Sequence, residues 1–259
     1  MDVGLSGRVA LVSGASRGIG RAVAAALAAE GCAVAICARG AEELERAAAE
    51  IGALNGGRVL AVPLDLTAPG AASELVRRAA DALGGVDVLV NNLGGNRRKP
   101  FAGTTDEDWH DLLELNLLAG LRLSREAIPR MRERGGGSIV FVSSLFGREA
   151  GGPGLSLYNA TKSAVISAAK IMALELAPEG IRANSVAPGS IRFPGGSWDR
   201  RVQEDPEGMD RFVADHLPLG RFGAAEEVAA LVPYLASPRA SLVTGACIAV
   251  DGGQGRSLI

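Results

Sequence analysis

Tyr158 and Lys162 are the two residues of this sequence whose chemistry and spacing stand out first. They lie four positions apart in a segment predicted to be helical, residues 156–177, so their side chains leave the same face of the helix. A phenol with a pKa of about 10 can give or take a proton, and a nearby ammonium group favours its ionised form. The pair therefore predicts acid–base chemistry, although this spacing is also typical of an ordinary surface contact.

Ser144 follows a short apolar strand predicted over residues 138–143. Open α/β sheets bind their ligands at the carboxyl ends of their strands, so this serine lies where a ligand is expected. A serine in such a position also commonly caps the next segment of chain. Its position alone therefore assigns no role to it.

A glycine-rich turn joins the first predicted strand to the first predicted helix. Its sequence is Gly14-Ala15-Ser16-Arg17-Gly18-Ile19-Gly20. Glycines permit a tight turn and a close approach of the backbone to a pyrophosphate, and a helix N-terminus offers free N–H groups and a positive dipole end. The turn predicts a dinucleotide site, although its G-x-x-x-G-x-G spacing differs from the commoner G-x-G-x-x-G.

The end of the second predicted strand normally decides which nicotinamide dinucleotide is bound. An acidic residue about 20 positions after the glycine turn binds the ribose 2′-hydroxyl of NAD, but Cys37, Ala38 and Arg39 stand here. Arg39 can instead bind a 2′-phosphate, and Arg17 can reach it from the glycine turn, because guanidinium groups bind phosphate through charge and paired hydrogen bonds. The alternative is that Arg39 only ends a strand at the surface. The sequence favours NADP(H), with NAD(H) the less favoured cofactor.

Short apolar segments alternate with amphipathic helical segments along the chain. Strands are predicted at residues 8–13, 33–37, 58–63, 86–90, 138–143, 182–187 and 247–250. Helices are predicted at residues 18–30, 42–54, 71–83, 106–134, 156–177 and 225–236. Apolar strands separated by helices are typical of a parallel sheet covered on both faces. We expect the long helix 106–134 to break near Asn116.

Residues 190–217 form the least regular part of the sequence, where two prolines and two glycines are followed by a polar helical pattern. An insertion of this kind in a compact chain is often a lid over a ligand. We therefore expect a substrate lid here. Arg192 and Trp198 either shape a pocket beneath it or lie at its rim.

Composition excludes several classes of protein. The chain has 259 residues, 47% of them hydrophobic, and a net charge of −2, so it suits one α/β domain and gives no electrostatic case for nucleic acid or anionic membrane. Three cysteines without a C-x-x-C pair favour a reducing cytoplasm over a disulfide framework. No apolar run approaches the roughly 18 residues of a membrane span, and residues 1–7 do not read as a signal peptide. Two isolated histidines, His110 and His216, lack the spacing of metal ligands, so no metal is expected.

Taken together, these motifs resemble the short-chain dehydrogenase/reductase family, and within it the 3-oxoacyl-[acyl-carrier-protein] reductase-like branch. Further matches in the right order are Asp65-Leu66, Asn91-Asn92-Leu93-Gly94, Asn116, Pro188-Gly189 and Asp251-Gly252-Gly253. The resemblance covers nearly the whole chain. It implies a single domain over residues 1–259 with a Rossmann-type, doubly wound, seven-stranded parallel sheet flanked by helices. It also implies an oxidoreductase that transfers a hydride between NADP(H) and a carbonyl or alcohol carbon.

The resemblance implies four catalytic residues. Tyr158 would be the acid/base, Lys162 would lower its pKa and hold the nicotinamide ribose, and Ser144 would polarise the substrate carbonyl. Asn116 would bind a water that links Lys162 to solvent, or be a buried asparagine satisfied by backbone, or both. Fourteen positions separate Ser144 from Tyr158, one more than in many members, so Ser143 is the alternative if loop 147–157 does not absorb the extra residue.

The resemblance also implies a cofactor site. Its residues are Gly14, Ser16, Arg17, Gly18, Ile19, Gly20, Arg39, Asp65, Leu66, Asn92, Gly94, Tyr158, Lys162, Pro188, Gly189 and Ile191. Three positions depart from the family pattern: Ser13 and Phe193 replace threonine, and Leu93 replaces alanine. The change at Phe193 puts a carboxamide contact in doubt.

Substrate and partners are less defined. Basic residues at 97–99 and at 130, 132 and 134 either attract an acidic acyl carrier protein or form a solvated surface. The substrate would be a 3-oxoacyl thioester or, alternatively, a sugar, polyol, steroid or other secondary alcohol; a non-catalytic NADP-binding sensor is a further alternative. Enoyl reductases of the related group space tyrosine and lysine more widely. Small residues in helix 156–177 permit tight helix pairing, and the resemblance implies that this helix packs between the subunits of a homotetramer, with a dimer next.

Overall fold

The structure is a computed structural model and describes residues 3–258, apart from the side chain of Asn55. Residues 1, 2 and 259 of the predicted domain lie outside the described chain. Its seven strands are β1 (Val9–Ser13), β2 (Ala33–Ala38), β3 (Val59–Pro63), β4 (Val88–Asn91), β5 (Gly137–Val142), β6 (Ile181–Pro188) and β7 (Cys247–Val250). They form one sheet in the order β3-β2-β1-β4-β5-β6-β7, and every pairing is parallel. The predicted seven-stranded parallel sheet is confirmed.

Ten α-helices occur in the described chain. They are α1 (Gly18–Ala29), α2 (Ala41–Asn55), α3 (Ala71–Leu83), α4 (Asp106–Leu113), α5 (Ala119–Glu133), α6 (Leu145–Arg148), α7 (Ser156–Leu176), α8 (Ser197–Glu204), α9 (Pro206–His216) and α10 (Ala225–Ala236). The short helix α6 was not predicted, and the irregular region 190–217 contains α8 and α9.

Helices cover both faces of the sheet, and successive residues of a strand point to opposite faces. Val12 faces a core built with α1, α2 and α10, whereas its neighbour Leu11 faces a core built with α3, α5 and α7. Both side chains are fully buried. Burial on two faces explains why the strands read as continuous apolar runs rather than as alternating patterns.

The predicted helix 106–134 is divided into three parts. A π-helical segment, Glu114–Leu118, separates α4 from α5 and carries Asn116 at its centre. The break expected near Asn116 is therefore confirmed. A π segment widens the helix by one residue and turns a side chain out of the regular repeat, and such segments often occur at functional sites.

The order of the strands determines where a ligand can lie. β1 is flanked by β2 on one side and by β4 on the other, so successive strands are added in one direction as far as β3 and in the opposite direction from β4 onwards. Helices leave the two sides of this point in opposite directions and a crevice opens between them. The turns after β1 and β4 begin with Gly14 and Asn92, so both predicted motifs lie at this crevice.

Candidate active site

A cleft of about 640 Å³ opens at the carboxyl ends of β1 to β6. Most of the predicted site residues line it. They are Gly14, Ser16, Arg17, Ile19, Arg39, Asp65, Leu66, Asn92, Gly94, Ser144, Tyr158, Lys162, Pro188, Gly189 and Ile191. Three predicted residues are not part of the lining: Gly18, Gly20 and Asn116. The structure thus brings most of the predicted catalytic residues and most of the predicted cofactor-binding residues into one cavity.

The glycine turn is built so that its backbone can face a ligand. A Cβ at Gly20 would lie 2.3 Å from the carbonyl oxygen of Gly14, so only glycine fits here. The side-chain Nδ2 of Asn92 donates to the same oxygen at 2.9 Å. Ser13 joins β1 to β4, since its Oγ accepts a hydrogen bond from the backbone N–H of Asn92 at 3.0 Å. Gly20 therefore lets the turn fold closely onto α1, and the N-terminus of α1 faces the cleft, where an anion could bind.

Arg17 and Arg39 are the exposed basic residues of the cleft lining. Within residues 3–258, neither has a carboxylate within salt-bridge distance, whereas many other arginines of the chain are ion-paired. Asp65 accepts hydrogen bonds from the N–H and hydroxyl of Thr67 (3.0 and 2.7 Å). These bonds, with a smaller contribution from Arg39, lower the pKa of Asp65. The two guanidinium groups are thus available for a phosphate.

Glu43 also lines this end of the cleft, which sequence reasoning missed. It lies in the first turn of α2, and its Oε2 accepts a hydrogen bond from the Ser16 hydroxyl at 3.1 Å. An acidic residue in the first turn of a helix ordinarily indicates favourable interaction with the helix dipole. The sequence therefore offered a sufficient local explanation for Glu43 and no signal that it faces the cleft.

Ser144, rather than Ser143, accompanies Tyr158. Ser144 is the N-cap of α6, where its Oγ accepts from the N–H of Phe146 at 3.2 Å, and its hydroxyl lies near enough to Tyr158 to lower the pKa of the phenol. The hydroxyl of Ser143 points elsewhere and donates to the backbone carbonyl of Lys162 at 2.8 Å. Ser144 therefore lies beside Tyr158 in spite of the longer spacing between them.

Lys162 lies beneath the same wall of the cleft. Its Nζ is 5.9 Å from the centre of the Tyr158 ring and donates to the carbonyl of Val142 at 2.9 Å. Burial lowers the pKa of Lys162 to about 8. Burial likewise raises the pKa of Tyr158, and the hydrogen bond with Ser144 opposes this. The resemblance implies that Lys162 lowers the pKa of Tyr158. In this structure desolvation raises that pKa instead, because burial disfavours the charged forms of both residues.

Asn116 connects the π segment to the two walls of the cleft. Its Oδ1 accepts from the N–H of Gly95 at 2.7 Å, and its Nδ2 donates to the carbonyl of Gly95 and to the hydroxyl of Thr161, both at 3.0 Å. A Cβ at Gly94 would lie 3.0 Å from the Lys162 Nζ and 3.3 Å from the Asn116 Oδ1, so both groups converge on this glycine. The reading as a buried, backbone-bonded asparagine describes these contacts, and the proton-relay role stays a prediction.

Two aromatic residues of region 190–217 face the cleft. The ring of Phe193 lies against the glycine turn, since a Cβ at Gly18 would be 2.6 Å from its Cζ. Trp198 lines the cleft and is held from behind by Phe212 and Phe222, with ring centres 4.8 and 5.3 Å away. Of the two interpretations of Trp198, pocket or rim, the structure favours the pocket.

Further lining residues escaped sequence reasoning. Among them are Asn96, Leu115, Thr67 and Ser197. Asn96 comes two residues after the N-N-L-G motif, and Leu115 belongs to the π-helical segment. Only Asn96 carried a usable signal, namely its distance from the end of β4.

Within residues 3–258, the basic residues considered for a carrier protein are ion-paired, except for Arg98. Asp108 binds both Arg97 and Lys99, each at 2.6 Å, and these bonds hold the pKa of the carboxyl well below its usual range. Arg132 pairs with Glu179, and Arg134 lies 3.1 Å from Asp87. Folding thus neutralises most of the charge that the sequence presents as basic clusters.

Within residues 3–258, no group of three or more histidine, cysteine, aspartate or glutamate side chains is placed to hold a metal ion. Over the same described chain, no helix has the length and apolarity needed to cross a membrane.

A family model described as enoyl-(acyl carrier protein) reductase matches residues 14–254. The chain belongs to the short-chain dehydrogenase/reductase family, whose members are nicotinamide-dependent oxidoreductases of carbonyl and alcohol groups. The 3-oxoacyl-[acyl-carrier-protein] reductase of Thermotoga maritima is 37% identical over 249 residues, covering 96% of this chain and 98% of that protein.

Solved structures confirm the fold and show diverse ligands. L-Sorbose reductase from Gluconobacter frateurii, complexed with NADPH and L-sorbose, is 36% identical with a TM-score of 0.95 and full coverage of both chains. A 7α-hydroxysteroid dehydrogenase complexed with NADH and a 7-oxo bile acid is 31% identical with a TM-score of 0.90, covering 100% of this chain and 98% of that one. Since these relatives hold different dinucleotides, the cofactor choice of this chain depends on its own residues.

Proposed function

We propose that this chain reduces the carbonyl of a small, neutral, polar molecule with NADPH, and that Tyr158 donates the proton. The observation that carries the proposal is the convergence of Tyr158, Ser144 and Lys162 in the cleft that also contains the glycine turn. Bound NADPH would supply a hydride to the carbonyl carbon. Ser144 holds the carbonyl oxygen by a hydrogen bond, and Tyr158 protonates it as negative charge develops.

The residues present fit a phosphorylated dinucleotide. The N-terminus of α1, which the glycine turn leaves facing the cleft, suits the pyrophosphate. Arg17 and Arg39, which have no ion-pair partner among residues 3–258, suit a 2′-phosphate. Lys162 would hold the nicotinamide ribose, and Asp65 and Leu66 the adenine. Since relatives include an NADPH and an NADH complex, these two arginines, with no acid at the end of β2, are the reason for preferring NADP(H).

The ion pairs of the cleft region favour a free substrate over a carrier-bound one. Arg97 and Lys99 share Asp108, and Arg97 also binds Asp111, so two carboxylates offset much of the positive charge that the segment at 97–99 presents to an acidic carrier protein. The cleft is lined by the aromatic Trp198 together with the polar Asn96 and Ser197, and such a mixed lining suits a polyhydroxylated ketone. A 3-oxoacyl thioester is the second candidate, favoured by the 37% identity to a reductase of that class.

A substrate panel tests this function. NADPH oxidation is followed by absorbance with ketoses, simple ketones, steroids and a β-ketoacyl thioester. The proposal predicts turnover of a polar ketone such as a ketose, with a lower kcat/KM for the thioester. Turnover of the thioester alone would show that a 3-oxoacyl thioester, the second candidate, is the substrate. NADPH binding without any turnover would favour a non-catalytic NADP-binding sensor.

We propose a homotetramer that acts in the cytoplasm. One face of α7 exposes the small residues Ala160, Ser163 and Ser167 and continues into Ile171 and Leu174, which are 51% and 63% exposed. Small side chains let two helices approach closely, and exposed large apolar groups favour a covered surface. Sedimentation of a tetramer, or else a dimer, is expected, and a monomer at all concentrations would reject this.

A further inference from the structure

Residues 251–257, which follow β7, lie against two parts of the cleft region that are far apart in sequence. The segment is turned by Asp251, whose carboxylate accepts hydrogen bonds from the N–H groups of Gly253 at 3.1 Å and Gly255 at 2.8 Å. An aspartate that bonds to backbone a few residues ahead fixes a local turn. The turn directs Gln254 to one side and residues 256 and 257 to the other.

Gln254 binds the first residue of the predicted lid. Its Oε1 accepts from the backbone N–H of Ser190 at 2.8 Å, and Ser190 is 6% exposed. A Cβ at Gly189 would lie 2.7 Å from the same oxygen, so the side chain is closely seated over the backbone. Without this acceptor a buried N–H would lose its partner, and unpaired buried donors are strongly disfavoured.

Glu149 binds the other end of the segment. Its Oε2 accepts from the backbone N–H groups of Arg256 at 2.8 Å and Ser257 at 2.9 Å. The backbone carbonyl of Glu149 accepts from Nδ2 of Asn159 at 2.8 Å, and Asn159 is the neighbour of Tyr158. The contacts therefore run from the segment to the N-terminal turn of α7.

The same segment also contacts the loop that carries Ser144. A Cβ at Gly255 would lie 2.6 Å from Cδ1 of Leu145, the residue after Ser144, so backbone and side chain are in direct contact there. Neither Gln254 nor Glu149 lines the cleft. Any effect they have on catalysis must therefore act through Ser190, Leu145 and Asn159.

We infer that residues 254–257 fix the start of region 190–217 relative to the catalytic tyrosine, with Gln254 and Glu149 as positioning residues. The inference rests on the proposed function, because it takes Tyr158 and Ser144 as the reacting groups. A shift of an ångström between the two walls misplaces a bound carbonyl and slows the reaction without removing a reacting group.

Gln254→Leu and Gln254→Glu form a matched pair, because glutamate keeps an acceptor oxygen for the Ser190 N–H and leucine does not. We expect Gln254→Leu to lower kcat/KM for the best ketone by on the order of tenfold, which corresponds to about 1.4 kcal/mol. Gln254→Glu should retain kcat/KM within about threefold, and both should bind NADPH as the native chain does, measured by fluorescence titration. Glu149→Ala should reproduce the loss, with Glu149→Gln closer to native.

Native kcat/KM in folded Gln254→Leu, or equal losses in the leucine and glutamate variants, would overturn the inference. A drop in Tm with unchanged kcat/KM per folded molecule would do the same, since it shows a structural role alone. If Gln254→Leu does not fold, the Glu149 pair decides by the same criteria. Failure of the proposed function is distinguishable, because the native chain itself would then oxidise no NADPH with any ketone.

Discussion

Lys162 is 5% exposed and donates its visible hydrogen bond to a backbone carbonyl rather than to a carboxylate. The charged ammonium is therefore poorly compensated, and the fall of its pKa to about 8 expresses that cost. Tyr158 bears the same cost in its ionised form, so its pKa is raised. One environment thus disfavours the charged form of both neighbouring groups.

The stability of the protein should depend on pH through Lys162. Its folded pKa, about 8, lies below the ordinary 10.5, so between these values the unfolded chain holds the proton that the folded chain has lost. The free energy of unfolding should therefore rise with pH in this window, by up to roughly 3 kcal/mol for a shift of this size.

Denaturant unfolding of the native chain and of Lys162→Met, between pH 7.5 and 10, measures this contribution. The native curve should gain stability relative to the variant as pH rises. Parallel curves would contradict it, since Tyr158 and the cysteines titrate in both proteins.

Glu43 should weaken the preference for NADP(H). A carboxylate in the same cleft end as Arg17 and Arg39 repels a 2′-phosphate, so Glu43→Gln should tighten NADPH binding several-fold and leave NADH binding nearly unchanged. Arg39→Ala should act in the opposite direction by roughly tenfold or more, as expected for a charge-assisted hydrogen bond. Fluorescence titration with both dinucleotides separates these effects. Equal changes for NADH and NADPH would show that neither residue meets the phosphate.

At the scale of elements, helices α8 and α9 hold Trp198 in the cleft wall. Phe212 of α9 stacks on it at 4.8 Å, and Arg201 lies 4.8 Å from its ring on α8. An aromatic ring fixed on several sides loses little freedom when a substrate packs on it. The two helices therefore form one wall of the cleft together.

Trp198→Ala should raise KM for the ketone about tenfold while NADPH affinity stays within a few-fold, because the indole is expected at the substrate end. Phe212→Leu, which only loosens the support, should have a smaller effect in the same direction. Steady-state kinetics with a separate NADPH titration measures both. A loss of NADPH binding with an unchanged KM would assign the tryptophan to the cofactor instead.

The elements were predictable where burial imposes a pattern. Seven strands could be located because each reads as a short apolar run, which is fully buried in a central strand such as Val9–Ser13 and only partly buried in the edge strands β3 and β7. The division of residues 106–134 was only partly predictable, since a polar Asn116 in an apolar run indicates a break but not a π segment. The helix α6 was missed because four residues carry no periodicity.

At the scale of the molecule, the fold decides which charges remain free. Arg132 and Glu179 are 47 residues apart and form an ion pair, as do Arg134 and Asp87, so no local pattern could show that these arginines are neutralised. Motif residues such as Tyr158 could be predicted because helical spacing and strand ends are local features. Glu43, Trp198 and Gln254 could not, since their roles depend on which distant segment folds against them.

The central claim is that the phenol of Tyr158 transfers the proton in carbonyl reduction. Tyr158→Phe removes one oxygen atom and keeps the ring that packs beside Lys162. NADPH oxidation with the best ketone should fall by at least about a hundredfold, the usual minimum contribution of a general acid, while fluorescence titration shows native NADPH affinity. Turnover by Tyr158→Phe close to that of the native chain would contradict the account.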